Sequence, residues 1–208
     1  RSVHHYLNHG DRPLPPELRA QIGGFFAKEG RHAQQHERVN HLLDEQGYDV
    51  RGFLRFYEWL CYQHIEKAAP PSLSLAVTAA AEHFTAIMAD NFLRMDELTS
   101  RLDPTMRRLL LWHAAEEIEH KAVAFDVLRH VNPSYALRVS GLALASLLLG
   151  TFWLGGACML LWQESRMTGF RRILSDVGRV RAFRKARGRR GILVEVFARG
   201  ISEYLRRD

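Results

Sequence analysis

Two segments of this chain place a glutamate one helical turn before a histidine: Glu29-x-x-His32 and Glu117-x-x-His120. Residues three or four apart share a helix side. At roughly 100° per residue, Leu18, Ile22, Phe25, Glu29, His32, His36 and Leu43 fall on one stripe. Leu75, Ala79, Glu82, Ala86, Ala89 and Leu93 make a second stripe, apolar except for Glu82. Leu110, His113, Glu117, His120, Ala124 and Val131 make a third. The carboxylates and imidazoles therefore point where a core should be. A buried carboxylate is costly unless it is paired or bound to metal. Glutamates and Glu-x-x-His pairs facing inward from several helices are the ingredients of a two-metal site inside a bundle. The competing reading is a buried polar network without metal.

Turn and cap signals divide the chain into helices. Pro16-Glu17 predicts a helix start, with Gly47 closing that helix just after Gln46. A shorter aromatic-rich helix is expected over Phe53 to Lys67, broken by Pro70-Pro71-Ser72. A third is expected from Leu73 to Leu98. A fourth starts at Asp103-Pro104 and ends before Asn132-Pro133. No period-two strand pattern and no nucleotide-binding glycine motif occurs. The expected fold class is all-α, a ferritin-like bundle over residues 1–135, a hydrophobic helix or hairpin over 136–163 and a basic helical tail over 164–208.

Charge follows the same division. Residues 1–163 carry 16 basic and 18 acidic side chains, and residues 164–208 carry 13 and 5. The tail basics include Arg171, Arg172, Arg184, Lys185, Arg189 and Arg190. Before them, residues 139–162 are 24 residues without a charge. Roughly 20 apolar residues suffice to cross a bilayer. Three arrangements remain open for this run: a span, a monotopic helix or hairpin, and burial against protein. An apolar helix beside a basic tail predicts anionic lipid and the cytoplasmic face of a membrane. A soluble cytoplasmic protein is the alternative. Nucleic acid is disfavoured as a partner, because the tail lacks a recognisable binding module. The two cysteines, Cys61 and Cys158, have no ligand or disulfide spacing, which fits a reducing compartment.

Three longer segments resemble a known family. They are Phe25 to His32 with His36, Glu37 and Asn40; Ala81 to Ala86; and Trp112 to Asp126. Together they resemble the bacterial family called "predicted metal-dependent hydrolase", over roughly residues 1–165. The ligand order also resembles ferritin-like di-iron carboxylate proteins, with Glu29/His32, Glu82 and Glu117/His120 as their second, third and fourth elements. His113 is similar to the third histidine of di-iron arylamine N-oxygenases. The resemblance implies a further glutamate upstream of Arg1. Glu58 is the nearest helical substitute for it within the sequence.

The expected metal ligands are Glu29, His32, Glu82, His113, Glu117 and His120, with His36 as a ligand or its neighbour. Mixed carboxylate and imidazole donors suit two iron ions, with manganese or zinc as alternatives. The leading reading is an O₂-activating oxygenase or hydroxylase on a small hydrophobic substrate, fed by an electron donor. The second is a two-metal hydrolase using metal-activated water, with Glu116 as catalytic base. No Ser-His-Asp pattern supports covalent hydrolysis. The third is a non-catalytic, membrane-associated metal-binding protein. A homo-oligomer is compatible with each.

Overall fold

The structure, a computed structural model, describes residues 1–95, 99–186 and 199–206. Every regular element among them is a helix, so the chain is all-α. In chain order they are α1 (Ser2–His9), α2 (Pro16–Glu45), α3 (Arg51–Glu58), α4 (Pro71–Leu93), α5 (Pro104–Val131), α6 (Tyr135–Thr168), α7 (Phe170–Ala186) and α8 (Arg199–Tyr204). A π-helical stretch (Trp59–Ile65) and a last α turn (Glu66–Ala68) extend α3.

The local start and stop signals act as expected. Proline stands in the first turn of α2, α4 and α5, where its missing N–H costs nothing. Asp103 caps α5, its Oδ1 accepting from the Thr105 and Met106 amides at 2.9 and 3.2 Å. Gly47 has φ 91°, and beside it the Tyr48 amide donates to the Leu43 carbonyl at 3.0 Å. That left-handed residue ends α2. Two boundaries differ from expectation. α4 stops at Leu93 rather than Leu98, with the Arg94 guanidinium turned back onto Asp90 at 2.9 Å. The aromatic helix is not uniform, because the π stretch inserts into it.

α4 is the axis of the fold. Its Leu75, Ala76 and Ala79 face Ile22 and Phe25 of α2 and Val123, Ala124, Val127 and Leu128 of α5. Val3 of α1 closes this core. On its other side, Ala80 and Phe84 pack with Leu142 and Ala145 of α6 and Tyr204 of α8. The end of the basic tail thus returns to the bundle. Alanines on both sides of α4 let α5 and α6 approach closely. At the α4–α6 crossing, a Cβ built on Gly141 would stand 2.6 Å from the Ala76 Cβ. Only glycine fits there.

Two substitutions on one helix test this packing. Gly141→Leu should lower stability by about 1–3 kcal/mol through overpacking. Gly150→Ala has open space around it and should be neutral or stabilising by up to about 1 kcal/mol. Chemical denaturation of both variants measures the contrast, and equal effects would contradict the close crossing.

Candidate metal centre

α2 and α5 run side by side with the ligand-type residues of each facing the other. His32 lies at the middle. Its Nε2 is 3.0 Å from His36 Nε2 and 3.4 Å from Glu117 Oε1. His113 Nε2 reaches the same Glu117 oxygen at 3.8 Å. On the other side, Glu29 Oε1 stands 4.0 Å from His32 Nδ1 and 2.7 Å from His120 Nδ1. Two groups of three donors result, Glu29–His32–His120 and His32–His36–His113, each with donor atoms within 4.8 Å of one another. They share His32.

The surroundings are apolar. The Phe25 ring meets the His120 ring edge-on at 5.1 Å, and Trp112 stands 6.3 Å from His32. His32, Glu117 and His120 are buried. His36 is exposed, and with Glu29 and His113, whose side chains are 40% and 32% exposed, it marks the open side. His120 is 2% exposed, and both its ring nitrogens lack a hydrogen-bond partner. Its 2.7 Å approach to Glu29 is therefore a charge contact off the N–H direction. Buried polar atoms are normally satisfied. A buried imidazole with no aligned hydrogen bond, facing a carboxylate and a second imidazole, is a donor arrangement that a metal ion can complete. The residues present therefore fit a metal.

Electrostatics points the same way. Burial pushes the Glu82 carboxyl up to about 7, and the negative charges of Glu29 and Glu117 add to the rise. Burial opposes ionisation of Glu29 as well, but His120, His32 and His36 outweigh it and hold that group low. Burial likewise works against a charged His120, and Glu29, Glu82 and Glu117 overcome it and raise its pKa. Burial, then the neighbouring His32, lowers both His36 and His113. Three carboxylates gather here; His120 is drawn towards its charged form, while His36 and His113 are drawn away from theirs.

The other expected positions are placed as follows. Glu82 sits on α4, coupled electrostatically to Glu29, Glu117 and His120 but outside both tight groups. Glu116, the expected catalytic base, is buried although it lies off the stripe of α5. Its Oε1 is 4.0 Å from the Arg31 guanidinium, and its Oε2 has no partner. Glu119 is exposed and paired with Lys28. Glu58 is exposed on α3 and takes no part. Arg171, Arg172 and Lys185 are exposed on α7. The Arg184 side chain, Arg189 and Arg190 lie outside the described residues. Arg31 beside Glu116 was not foreseen, because nothing in a single sequence pairs positions 31 and 116.

The family described as "Predicted metal-dependent hydrolase" matches the chain over residues 1–208. That is the full length, where the motifs alone suggested about 165 residues. No curated protein and no solved structure matches the chain.

The raised Glu82 pKa has a signed consequence. In the metal-free protein, the stability gained by protonated Glu82 is complete below about 4.5 and is lost as pH rises through about 7. A divalent cation bound beside Glu82 would compete with that proton. Stabilisation by Zn(II) or Mn(II) should therefore be larger at about pH 8 than at about pH 6. Glu82→Gln should shrink the difference. Thermal melts with and without metal at both pH values measure it, and no metal effect at either pH would remove the metal reading.

Proposed function

The chain belongs to the predicted metal-dependent hydrolase family, and from that premise we propose that it is a hydrolase working through a dinuclear carboxylate–histidine centre. The observation that carries this reading is the pair of three-donor groups sharing His32, with His120 buried between the helices against Glu29. Glu29 and His120 would hold one ion, His36 and His113 the other, with His32 and Glu117 between them. Glu82 supplies a further negative charge from α4. When bound, two such ions polarise a substrate oxygen and bring the pKa of a water near neutrality.

The protein's own residues do the rest. Phe25 and Trp112 keep bulk water from the imidazoles, which strengthens every charge interaction within. Substrate enters on the side of His36, Glu29 and His113, the most exposed members. Glu116 is the proposed proton acceptor: Arg31 occupies the neighbourhood of Oε1, leaving Oε2 free. The proposed setting is the cytoplasmic face of a membrane, supported by the uncharged run in α6 and the arginines of α7.

Family membership changes the order of the two chemistries. Ligand pattern alone put oxygen activation first, and the family favours hydrolysis. The oxygenase reading keeps one specific support, the Glu-x-x-His pairs on two facing helices, which di-iron bundles use.

Loading the protein anaerobically with Fe(II), Mn(II) or Zn(II) tests the proposal. About two ions per chain and metal-dependent cleavage of nitrophenyl ester or phosphate substrates, without oxygen uptake, are expected. Oxygen-dependent absorption with no hydrolysis would transfer the site to oxygenase chemistry. His120→Ala should release metal from a protein that stays helical. Glu116→Gln should keep its metal and lose about 10²–10⁴-fold in kcat.

A further inference from the structure

α6 has two apolar faces, and protein covers only one. The inner face is occupied along nearly its whole length. Gly141 lies against Ala76, and Leu142 and Ala145 join the α4 core. Gly155 and Gly156 receive the Phe53 ring, and the Leu148 carbonyl accepts from the Tyr57 hydroxyl at 2.5 Å. Near the end, Gln163 bonds the Asp49 backbone twice, at 2.7 and 3.0 Å, and Glu164 accepts from Tyr48. The outer face runs through Ala143, Leu147, Thr151, Leu154, Cys158, Leu161 and Trp162. It carries no charge for 20 residues, and Leu147 and Leu154 are 60% and 67% exposed.

Gly169, at φ 90°, turns the chain from α6 into α7. On α7, Phe170, Leu174, Val177 and Val180 fall within one arc at helical spacing, all more than half exposed. Arg171, Arg172 and Arg179 take the other side, and Arg181 follows at the end of the apolar arc, where its long side chain can reach a headgroup. Residues 170–186 contain six cations and one acid. Ile173 of α7 is buried, and the apolar side chains named on the two outer faces are left exposed.

We infer that α6 and α7 form a one-leaflet anchor, lying in the plane of an anionic membrane with their outer apolar faces in the headgroup–acyl boundary. Length alone would let α6 span a bilayer. Its inner contacts forbid that, because crossing would carry the charged surface of α3 and its turn into hydrocarbon. Arg55 and Glu58, exposed on α3 beside the Phe53 and Tyr57 contacts, stand in that region. An in-plane amphipathic helix buries only its apolar face, and its arginines meet anionic headgroups. A second copy is the weaker occupant: it would bring an equally cationic α7 to the same contact. The inference is independent of which metal the bundle takes.

Cosedimentation of the full chain with vesicles tests it, using phosphatidylcholine alone and phosphatidylcholine with phosphatidylglycerol. Binding is expected to the anionic vesicles, to weaken with salt, and to be reversed by alkaline carbonate. Leu174→Asp with Val177→Asp, at exposed positions, should weaken it by at least about tenfold while helicity and metal content stay unchanged. Lipid-borne quenchers should dim Trp153 and Trp162 at shallow depth. Retention in the bilayer through carbonate would overturn the anchor in favour of a span. No vesicle binding, with a dimer that Leu154→Asp dissociates, would assign the face to a second copy instead. Equal binding to both vesicle types would overturn the anionic-lipid contact.

Discussion

The interaction on which the fold depends is the crowding of three carboxylates and four imidazoles between apolar helices. Glu29, Glu82 and Glu117 repel one another in a region with little water to screen them. Histidine charge answers part of this, as the Glu29–His120 contact at 2.7 Å shows. It is not enough: Glu82 is left near 7, and His36 and His113 are pushed towards neutrality. A cation held among these groups would relieve the crowding, as a proton on Glu82 does without one. The same demand shapes the packing. α4 must bring Glu82 inward while touching α5 and α6, and a run of alanines is what permits both.

Periodicity made much of the site legible before any coordinates. Glu29, His32, His113, Glu117 and His120 are one turn apart on stripes that must face inward, and the structure does bring them together. Helix starts were legible too, because proline and capping aspartate act within a few residues of themselves. What stayed hidden depends on tertiary contact. Glu116 lies off the stripe of α5, yet α2 covers it and supplies Arg31. The π stretch at Trp59–Ile65 leaves no local signal, since its residues are ordinary helix formers. His83, adjacent to Glu82, turns instead to the Gly200 carbonyl at 2.9 Å. No spacing rule could find a partner 117 residues away.

The conflict between composition and packing is sharpest in the two most apolar helices. α4 and α6 both pass a length and hydropathy criterion for crossing a membrane. Half of the apolar window of α4 is buried in the protein, against 6% for α6. Hydropathy counts apolar side chains without asking what covers them. α4 is apolar because helices lie on both its sides. α6 is apolar on an inner face that holds the bundle together and on an outer face that the protein leaves exposed. An exposed apolar face is costly in water. The gain from removing it is of the same kind that assembled the core, so the outer face of α6 extends the folding problem beyond the chain itself.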